Sequence, residues 1–404
     1  MELVRDESAS IDPDRAGNTV IEGDNLSVMR LLPEASVDLI YIDPPYNTGN
    51  DFAYRDVFRE GGGGRVTRHR AWAEMMRPRL VEAARLLRPH GAIFCSIDDH
   101  EVAALRHLLD DTFGPDNFLA TIAVNLNPKG RQLGPWFATS HEYLHVYARD
   151  ARRCALDATS ADTVDPEDFP LVDDATGRRY RHLPLRNTNK KFNPVTSPTL
   201  HYPLWGDEHT GSVSTTPFDG GREILPVFGD GTPAVWRWSR PRVDARPDDL
   251  VCRTVRSPRG PRVDIHQKDW LHTGRRKKLP TIWLAEEVGS TDTAVAEVRQ
   301  LVGKVFESPK PTGLLRRVLG TYPDDAVVLD FFAGSGTTGH ATALANVADG
   351  GSRRCLSINS AEPTREGSEA RRHGFPTVAA ITRARLRAVA EQVGGGLEVL
   401  RLQD

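Results

Sequence analysis

The chain has 404 residues, of which 39% are hydrophobic and 26% charged, with a formal net charge of −3. It is long enough for a large core and two lobes. It holds no apolar run of membrane-spanning length, and its charge balance excludes binding to polyanions by bulk charge, so any nucleic-acid surface must be local.

Residues 1–17 are polar and read as a loose tail, without the apolar stretch of a signal peptide. Residues 18–24, Asn-Thr-Val-Ile-Glu-Gly-Asp, read as a short strand and turn. Asn25 to Leu32 then reads as a helix with Leu26, Met29 and Leu32 on one side. Val37, Leu39, Ile40, Tyr41 and Ile42 form a buried strand. Pro44 and Pro45 stop it, because neither has an N–H with which to continue a ladder. Asp43 therefore stands where a strand ends and a fixed loop begins, with Tyr46 and Asn47 just beyond. A carboxylate, prolyl carbonyls and an aromatic face suit a planar group bearing NH2. The segment from Asn47 to Arg70 contains Gly61 to Gly64 and is placed, beside that site, as lids are.

Ala71 to Leu87 is an amphipathic helix, with Trp72, Met75, Met76, Leu80, Ala83 and Leu87 at helical spacing. Ala92 to Ile97 is a second buried strand, and Glu101 to Phe113 is helical again. Strands alternating with helices at these lengths predict a parallel sheet. Residues 121–124 and 142–147 read as further strands. Between about 154 and 300 helical periodicity fades, and Pro, Gly, Thr and Asp become frequent around short β-like pieces at 224–228, 234–238 and 250–254. This reads as a second, irregular lobe inserted into the first. The α/β texture returns from Leu301, with helices at 312–319, 337–348 and 376–393 and strands at 326–330 and 355–358. The four cysteines, Cys95, Cys154, Cys252 and Cys355, form no C-x-x-C pair, which argues against a disulfide framework or a cysteine zinc site and fits a reducing, cytoplasmic setting.

A second anchor lies at Val327 to Gly339, where a strand delivers Asp330 and Phe332, and Gly334 and Gly336 turn into a helix begun by Thr337 and Thr338. Glycines allow close backbone approach, and the helix N-terminus favours a carboxylate or phosphate. The spacing matches G-x-G-x-x-G and admits a dinucleotide oxidoreductase as well as another nucleoside cofactor. Glu362, beyond the next strand, is placed to hold ribose hydroxyls. His141 to His145 matches H-E-x-x-H, the zinc-protease pattern, but that chemistry needs a helix. The alternation of Tyr143, Val146 and Tyr147 reads as strand, and no metal is expected. Basic residues cluster twice in the inserted lobe. Arg178 to Lys191 holds six Lys or Arg and no acid, and Arg253 to Lys278 holds nine against Asp264 and Asp269. With Tyr180, Phe192, Tyr202 and Trp270 interleaved, these runs suit phosphates and sugars.

Strand-Asp-Pro-Pro-Tyr together with strand-Asp-Phe-x-Ala-Gly-Ser-Gly-Thr-Thr resembles the amino DNA methyltransferases that use S-adenosylmethionine (AdoMet), in the motif order of their β group. The likeness extends through Val20 to Leu26, Tyr41 to Asp56, Trp72 to Leu87, Gly91 to Glu101, His141 to Leu144, Trp236 to Trp238, Phe306 to Pro311 and Ser368 to Ala370. These segments are similar to Mod subunits of type III restriction systems and their solitary relatives. One departure is Ile358-Asn-Ser-Ala-Glu362, where the family has apolar-Gln-Leu-Pro-Glu.

The resemblance implies an α/β, Rossmann-like AdoMet-dependent methyltransferase fold in circularly permuted motif order. Residues 18–153 would be the catalytic half, 154–300 an inserted, β-rich target-recognition lobe, and 301–404 the AdoMet-binding half. It implies a catalytic tetrapeptide of Asp43, Pro44, Pro45 and Tyr46. Asp43 and the Pro44 carbonyl would accept the N–H groups of the target amine, and Tyr46 would stack on the base. It implies cofactor contacts from Asp24, Asp330, Phe332, Gly334, Gly336, Thr337, Thr338 and Glu362, with Lys310 on the methionine carboxylate. DNA contacts are expected from Asn47, Arg178, Arg179, Arg186, Lys190, Lys191, Arg275, Arg276, Lys277 and Lys278.

The implied reaction is methylation of the exocyclic N6 of adenine, flipped out of double-stranded DNA. Asp rather than Ser before Pro-Pro-Tyr favours adenine, with N4 of cytosine as the alternative. An NAD-dependent oxidoreductase leaves Asp-Pro-Pro-Tyr unexplained, and an inactive DNA-binding subunit leaves the intact Asp43 and glycine loop unexplained. The chain is shorter than a full type III Mod subunit, which favours a solitary or differently partnered enzyme. A homodimer and a restriction or defence-system partner subunit both stay open, and no membrane association is expected.

Overall fold

Ten strands make one mixed sheet in the first of two units into which the chain divides, residues 1–158 with 280–404; residues 159–279 form the second. The computed structural model describes residues 1–48, 65–130, 136–160, 165–174, 176–257, 260–272, 274 and 276–403. Residues 49–64, most of the segment from Asn47 to Arg70 expected to be a lid, and Arg275 lie outside the described residues.

In chain order the strands of the first unit are β1 (Glu2–Arg5), β2 (Ala16–Glu22), β3 (Val37–Ile42), β4 (Leu87–Ile97), β5 (Phe118–Val124), β6 (Glu142–Ala148), β7 (Ile282–Trp283), β8 (Val327–Asp330), β9 (Arg354–Asn359) and β10 (Gly396–Gln403). Their order across the sheet is β1-β10-β2-β9-β8-β3-β4-β6-β5-β7. Neighbours from β10 to β4 all run parallel. Strand β6 is antiparallel to both β4 and β5. The principal helices are α1 (Asn25–Leu31), α2 (Arg65–Leu86), α3 (Val102–Phe113), α4 (Thr291–Val302), α5 (Thr312–Leu319), α6 (Thr337–Asp349) and α7 (Val378–Val393).

All six residues of β3 are buried, as expected of a parallel strand with helices over both faces. Ile40 and Ile42 pack with Trp72, Met76 and Leu80 of α2 and with Leu105 and Leu109 of α3. A separate cluster joins Leu386 and Ala390 of α7 to Val20, Leu397 and Val399. Strand β8 lies between β9 and β3, with Val328 opposite Leu39 and Leu329 opposite Ile40. The chain leaves β3 towards β4 on one side and leaves β8 towards β9 on the other. Their following loops part, which is the switch point at which such sheets bind ligands.

Asp38 ties β3 to β8. Its carboxylate accepts the Val327 N–H at 2.8 Å, Arg88 at 2.6 Å and His90 at 2.9 Å. Burial pushes the Asp38 carboxyl up, but these three donors outweigh it and hold it below the usual range. A depressed folded pKa contributes stability that is present above the unfolded value of about 3.9 and lost as pH falls through the folded one. Asp38→Ala should therefore cost about 2 kcal/mol at pH 7 and lose less further stability on acidification than the parent. Urea unfolding at pH 7 and in the acid limb measures both effects.

Three expectations are corrected. Residues 1–17 are not a loose tail, because β1 pairs with β10 from Glu2↔Gln403 to Arg5↔Leu400, and the Ile11 and Leu397 backbones bond reciprocally. That partner lies at the far end of the sequence, where local polarity cannot reveal it. The inserted lobe is also narrower than 154–300. Ile282 and Trp283 extend the main sheet beside β5, and Val298 of α4 packs with Ile381 of α7. A two-residue strand has no periodicity to read. Finally, α2 begins at Arg65 rather than Ala71.

The second unit carries a four-stranded antiparallel sheet in the order Leu250–Val255, Arg262–Trp270, Arg179–Pro184 and Leu171–Val172, a three-stranded sheet around Leu204–Gly206, and a two-stranded ribbon. Its core gathers Trp236, Trp238, Tyr202, Leu204 and Ile265. The buried aromatics satisfy their polar atoms locally: Trp236 Nε1 donates to the Tyr202 carbonyl at 2.8 Å, and the Tyr202 hydroxyl to the Trp238 carbonyl at 2.7 Å.

Candidate active site

The loops after β3 and β8 border a cleft of about 380 Å³. One wall is the turn from Phe331 to Gly336. Gly334 and Gly336 adopt φ of 52° and 82°, a region that disfavours side chains, and a Cβ on Gly336 would come within 3.2 Å of Thr382. The turn is braced from behind. Thr382 Oγ1 and Asn359 Nδ2 donate to the Gly334 carbonyl at 2.7 and 2.9 Å. Arg385, fully buried on α7, donates to the hydroxyls of Ser335 and Thr337, both at 2.9 Å. Burial lowers its pKa to about 10, against the pull of Glu297.

Asp330 lines the cleft, yet both its oxygens are engaged in the turn, accepting the Phe332 N–H at 3.0 Å and the Thr338 hydroxyl. Burial pushes its pKa up to about 7 despite these donors, with the charge of Asp43 adding to the rise. Asp330 and Thr338 thus shape the loop that a ligand would meet. Gly336 caps α6 and lies behind the lining, whereas Phe332, Gly334 and Thr337 face the cleft.

Phe306, Phe332, Met75 and Val378 give the cleft an apolar wall, and Asp24 and Glu362 give it acids. Asp24 is also the N-cap of α1, accepting the Ser27 N–H at 2.9 Å. Asn25 was not anticipated; its amide donates to the Phe331 carbonyl at 2.7 Å and accepts from Arg79 at 2.6 Å, linking α1, α2 and the turn. Aromatic walls, acids for hydroxyls and a helix N-terminus for a carboxylate fit a nucleoside joined to an amino acid, the composition of AdoMet.

The arm after β3 enters the same cleft through Asp43 and Pro45, and the Pro44 side chain between them is buried. The Tyr46 hydroxyl donates to Asp43 at 2.7 Å and to Glu142 at 3.1 Å. Lys310 Nζ lies 2.8 Å from Asp43 Oδ2, 3.3 Å from Glu142 Oε2 and 5.0 Å from the Tyr46 ring centroid. Burial lowers the Lys310 pKa, but the two carboxylates outweigh it and hold the ammonium above its usual value. The Pro45 carbonyl accepts Trp72 Nε1 from α2 at 2.6 Å.

Lys310 lines the cleft, but its charge is directed at Asp43 and Glu142, not held ready for a carboxylate of the ligand. Asn47 is buried, with φ of 57°, and donates to the buried Glu101 at 2.7 Å. That corrects its assignment to DNA. Glu142 was overlooked, although it sits inside the H-E-x-x-H pattern. The neighbouring His145 contacts Thr121 Oγ1 at 2.9 Å and the Val102 carbonyl at 3.2 Å from within strand β6. The only local signal for Glu142 was its place at the start of that strand.

Several basic residues of the second unit are already paired within it. Arg186 contacts Asp264 at 3.3 Å, Lys190 contacts Asp230 at 2.6 Å and Lys277 contacts Asp168 at 2.8 Å. They are therefore not free phosphate ligands as expected, because counting charges along the chain misses acids on adjoining segments. Arg178 stacks over Trp270 at 4.5 Å, Arg179 and Arg276 donate to the carbonyls of Pro166 and Thr159, and Lys191 and Lys278 are exposed.

A switch-point cleft between a glycine turn and an acid-proline arm, on a Rossmann-like sheet with an antiparallel β6 between β4 and β5, defines an AdoMet-dependent methyltransferase. Residues 37–348 match the model of the N6/N4 methyltransferase family, described as DNA methylase, and the chain belongs to that family. It is a DNA methyltransferase. Type II methyltransferase M.KpnI of Klebsiella pneumoniae is 32% identical over 96% of this chain and 92% of its own length. The EcoPI Mod subunit of Escherichia phage P1, a type III restriction-modification enzyme, is 32% identical over 92% of this chain, and the StyLTI Mod subunit of Salmonella typhimurium is 31% identical over 93%. The matches cover 62% and 57% of those two Mod subunits, so the chain spans less than two thirds of each.

Proposed function

We propose that the protein transfers a methyl group from AdoMet to N6 of adenine in double-stranded DNA, with the base flipped into the site. The observation that carries this reading is that Asp43 and Pro45 share one cleft with the glycine turn and Glu362. Bound AdoMet supplies an electrophilic methyl group. The adenine amine is a poor nucleophile, because its lone pair is delocalised into the ring. Asp43 and the Pro44 carbonyl accept its two N–H bonds, so the nitrogen can pyramidalise towards the methyl group. Tyr46, fixed by Asp43 and Glu142 and backed by Lys310, presents its ring as one edge of the base pocket. Asp24 and Glu362 hold the cofactor's hydroxyls, and the α6 N-terminus its carboxylate.

The second unit is the natural reader of the DNA sequence. Of the expected set, Arg178, Arg179, Lys191 and Lys278 present exposed side chains suited to phosphate. The enzyme acts in the cytoplasm, and its partner besides DNA is a second copy or a restriction subunit.

The test is expression in a host devoid of DNA methylation, followed by sequencing of the genome for modified bases. N6-methyladenine at one defined sequence is expected. N4-methylcytosine would overturn the choice of base, and an unmodified genome the reading as a whole.

A further inference from the structure

Asp43 belongs to a cluster of four polar groups, and the charges of that cluster do not favour catalysis without one member outside the tetrapeptide. Lys310 is 7% exposed, and its ammonium is 2.8 Å from Asp43. Those two groups alone sum to zero charge. A buried cation beside the carboxylate would also oppose the positive charge that forms on the attacking nitrogen, and in a desolvated site such a term is large. Glu142 changes the sum. It lies 3.3 Å from the same ammonium and accepts from the same Tyr46 hydroxyl at 3.1 Å. The cluster of Asp43, Glu142, Lys310 and Tyr46 then carries a net charge of −1.

We propose that Glu142 is a positioning residue for methyl transfer: by sharing Lys310 and Tyr46 with Asp43, it keeps the site anionic and leaves Asp43 able to accept from the substrate amine. The proposal rests on the methyl-transfer reading given above. Each Asp43 oxygen already accepts one bond, Oδ1 from Tyr46 and Oδ2 from Lys310. A carboxylate oxygen has room for a second. Without Glu142 the full pull of both donors would fall on Asp43 and weaken it as an acceptor. In the reaction the N–C bond forms as the S–C bond breaks, and the bonding pair stays on sulfur. The surplus proton on nitrogen passes to the anionic cluster and on to water, reached through Glu142, whose side chain is 17% exposed.

Three variants test this with labelled AdoMet and genomic DNA from a methylation-free host. Glu142→Gln keeps the shape and removes the charge; turnover should fall on the order of 10²-fold, with the AdoMet dissociation constant within about threefold. Glu142→Asp keeps the charge on a shorter stem and should be more active than Glu142→Gln. Combining Glu142→Gln with Lys310→Met restores the net charge of −1 and should recover about tenfold over Glu142→Gln alone. A merely structural role predicts the reverse, since the near-isosteric Gln should outperform Asp and a second lesion should deepen the first. Gln equal to or better than Asp overturns the proposal. So does a double variant that shows an AdoMet thermal shift, and hence is folded, yet is no more active than the single. If the double variant does not fold, the Asp-over-Gln order decides. A parent enzyme that labels no DNA would overturn the methyl-transfer reading instead.

Discussion

Asp43→Ala is expected to lower methyl transfer by at least about 10³-fold while leaving the AdoMet dissociation constant within about threefold. The substitution removes an acceptor that lines the cleft and leaves Lys310 with Glu142 alone, a pair of zero net charge facing a nitrogen that must become positive. Cofactor binding should persist, because the glycine turn is braced by Thr382, Asn359 and Arg385, none of which bonds to Asp43 in the contacts described above. Single-turnover transfer of a labelled methyl group, beside calorimetric titration with AdoMet, reads the two effects separately. Turnover near that of the parent enzyme would remove Asp43 from the mechanism.

The largest effect on stability is expected at Trp72. It is fully buried on α2, in the cluster that joins this helix to β3 and β4. Trp72→Ala should cost about 3–5 kcal/mol through the lost burial and the cavity left behind. Trp72→Phe is the more informative change, because it keeps most of the bulk and deletes the 2.6 Å bond to the Pro45 carbonyl. Stability should then fall by only about 1 kcal/mol. The acid-proline arm loses its tie to α2, and turnover should drop about tenfold from misplacement alone. Urea unfolding gives the first quantity and steady-state kinetics at saturating AdoMet the second. An unchanged turnover in Trp72→Phe would mean that β3 and Asp38 already fix the arm without help from the indole.

What could be read from the residues was whatever is local. Apolar runs stopped by Pro44 and Pro45 or by Gly334 and Gly336 announce a strand and its turn within a dozen positions. The βα alternation from β3 to α3 follows from periodicity in the same way. What stayed hidden depends on partners brought together by the fold. Lys310 and Asp43 are 267 positions apart, and nothing near either names the other. Glu142 acquires its place only because β6 turns back between β4 and β5, bringing its first residue to the end of the sheet where Asp43 lies. Arg385 reads as one more polar residue of an amphipathic helix, yet it is buried beneath the glycine turn. The ion pairs inside the basic lobe were hidden for a related reason: Asp168, Asp230 and Asp264 meet cations from other segments.

The placement of β8 has a consequence for how the protein is made. Strand β3 is synthesised early and gains β4 soon after, but its other edge pairs only with β8, which emerges after the whole second unit. Until then a strand that is wholly buried in the finished fold has one open edge, a template for misplaced pairing. Strand β2 waits longer still, for β9 and β10. The acid-proline arm and the glycine turn meet only when that late segment closes the sheet. The cleft that both of them line is therefore complete only once this late, long-range pairing has formed.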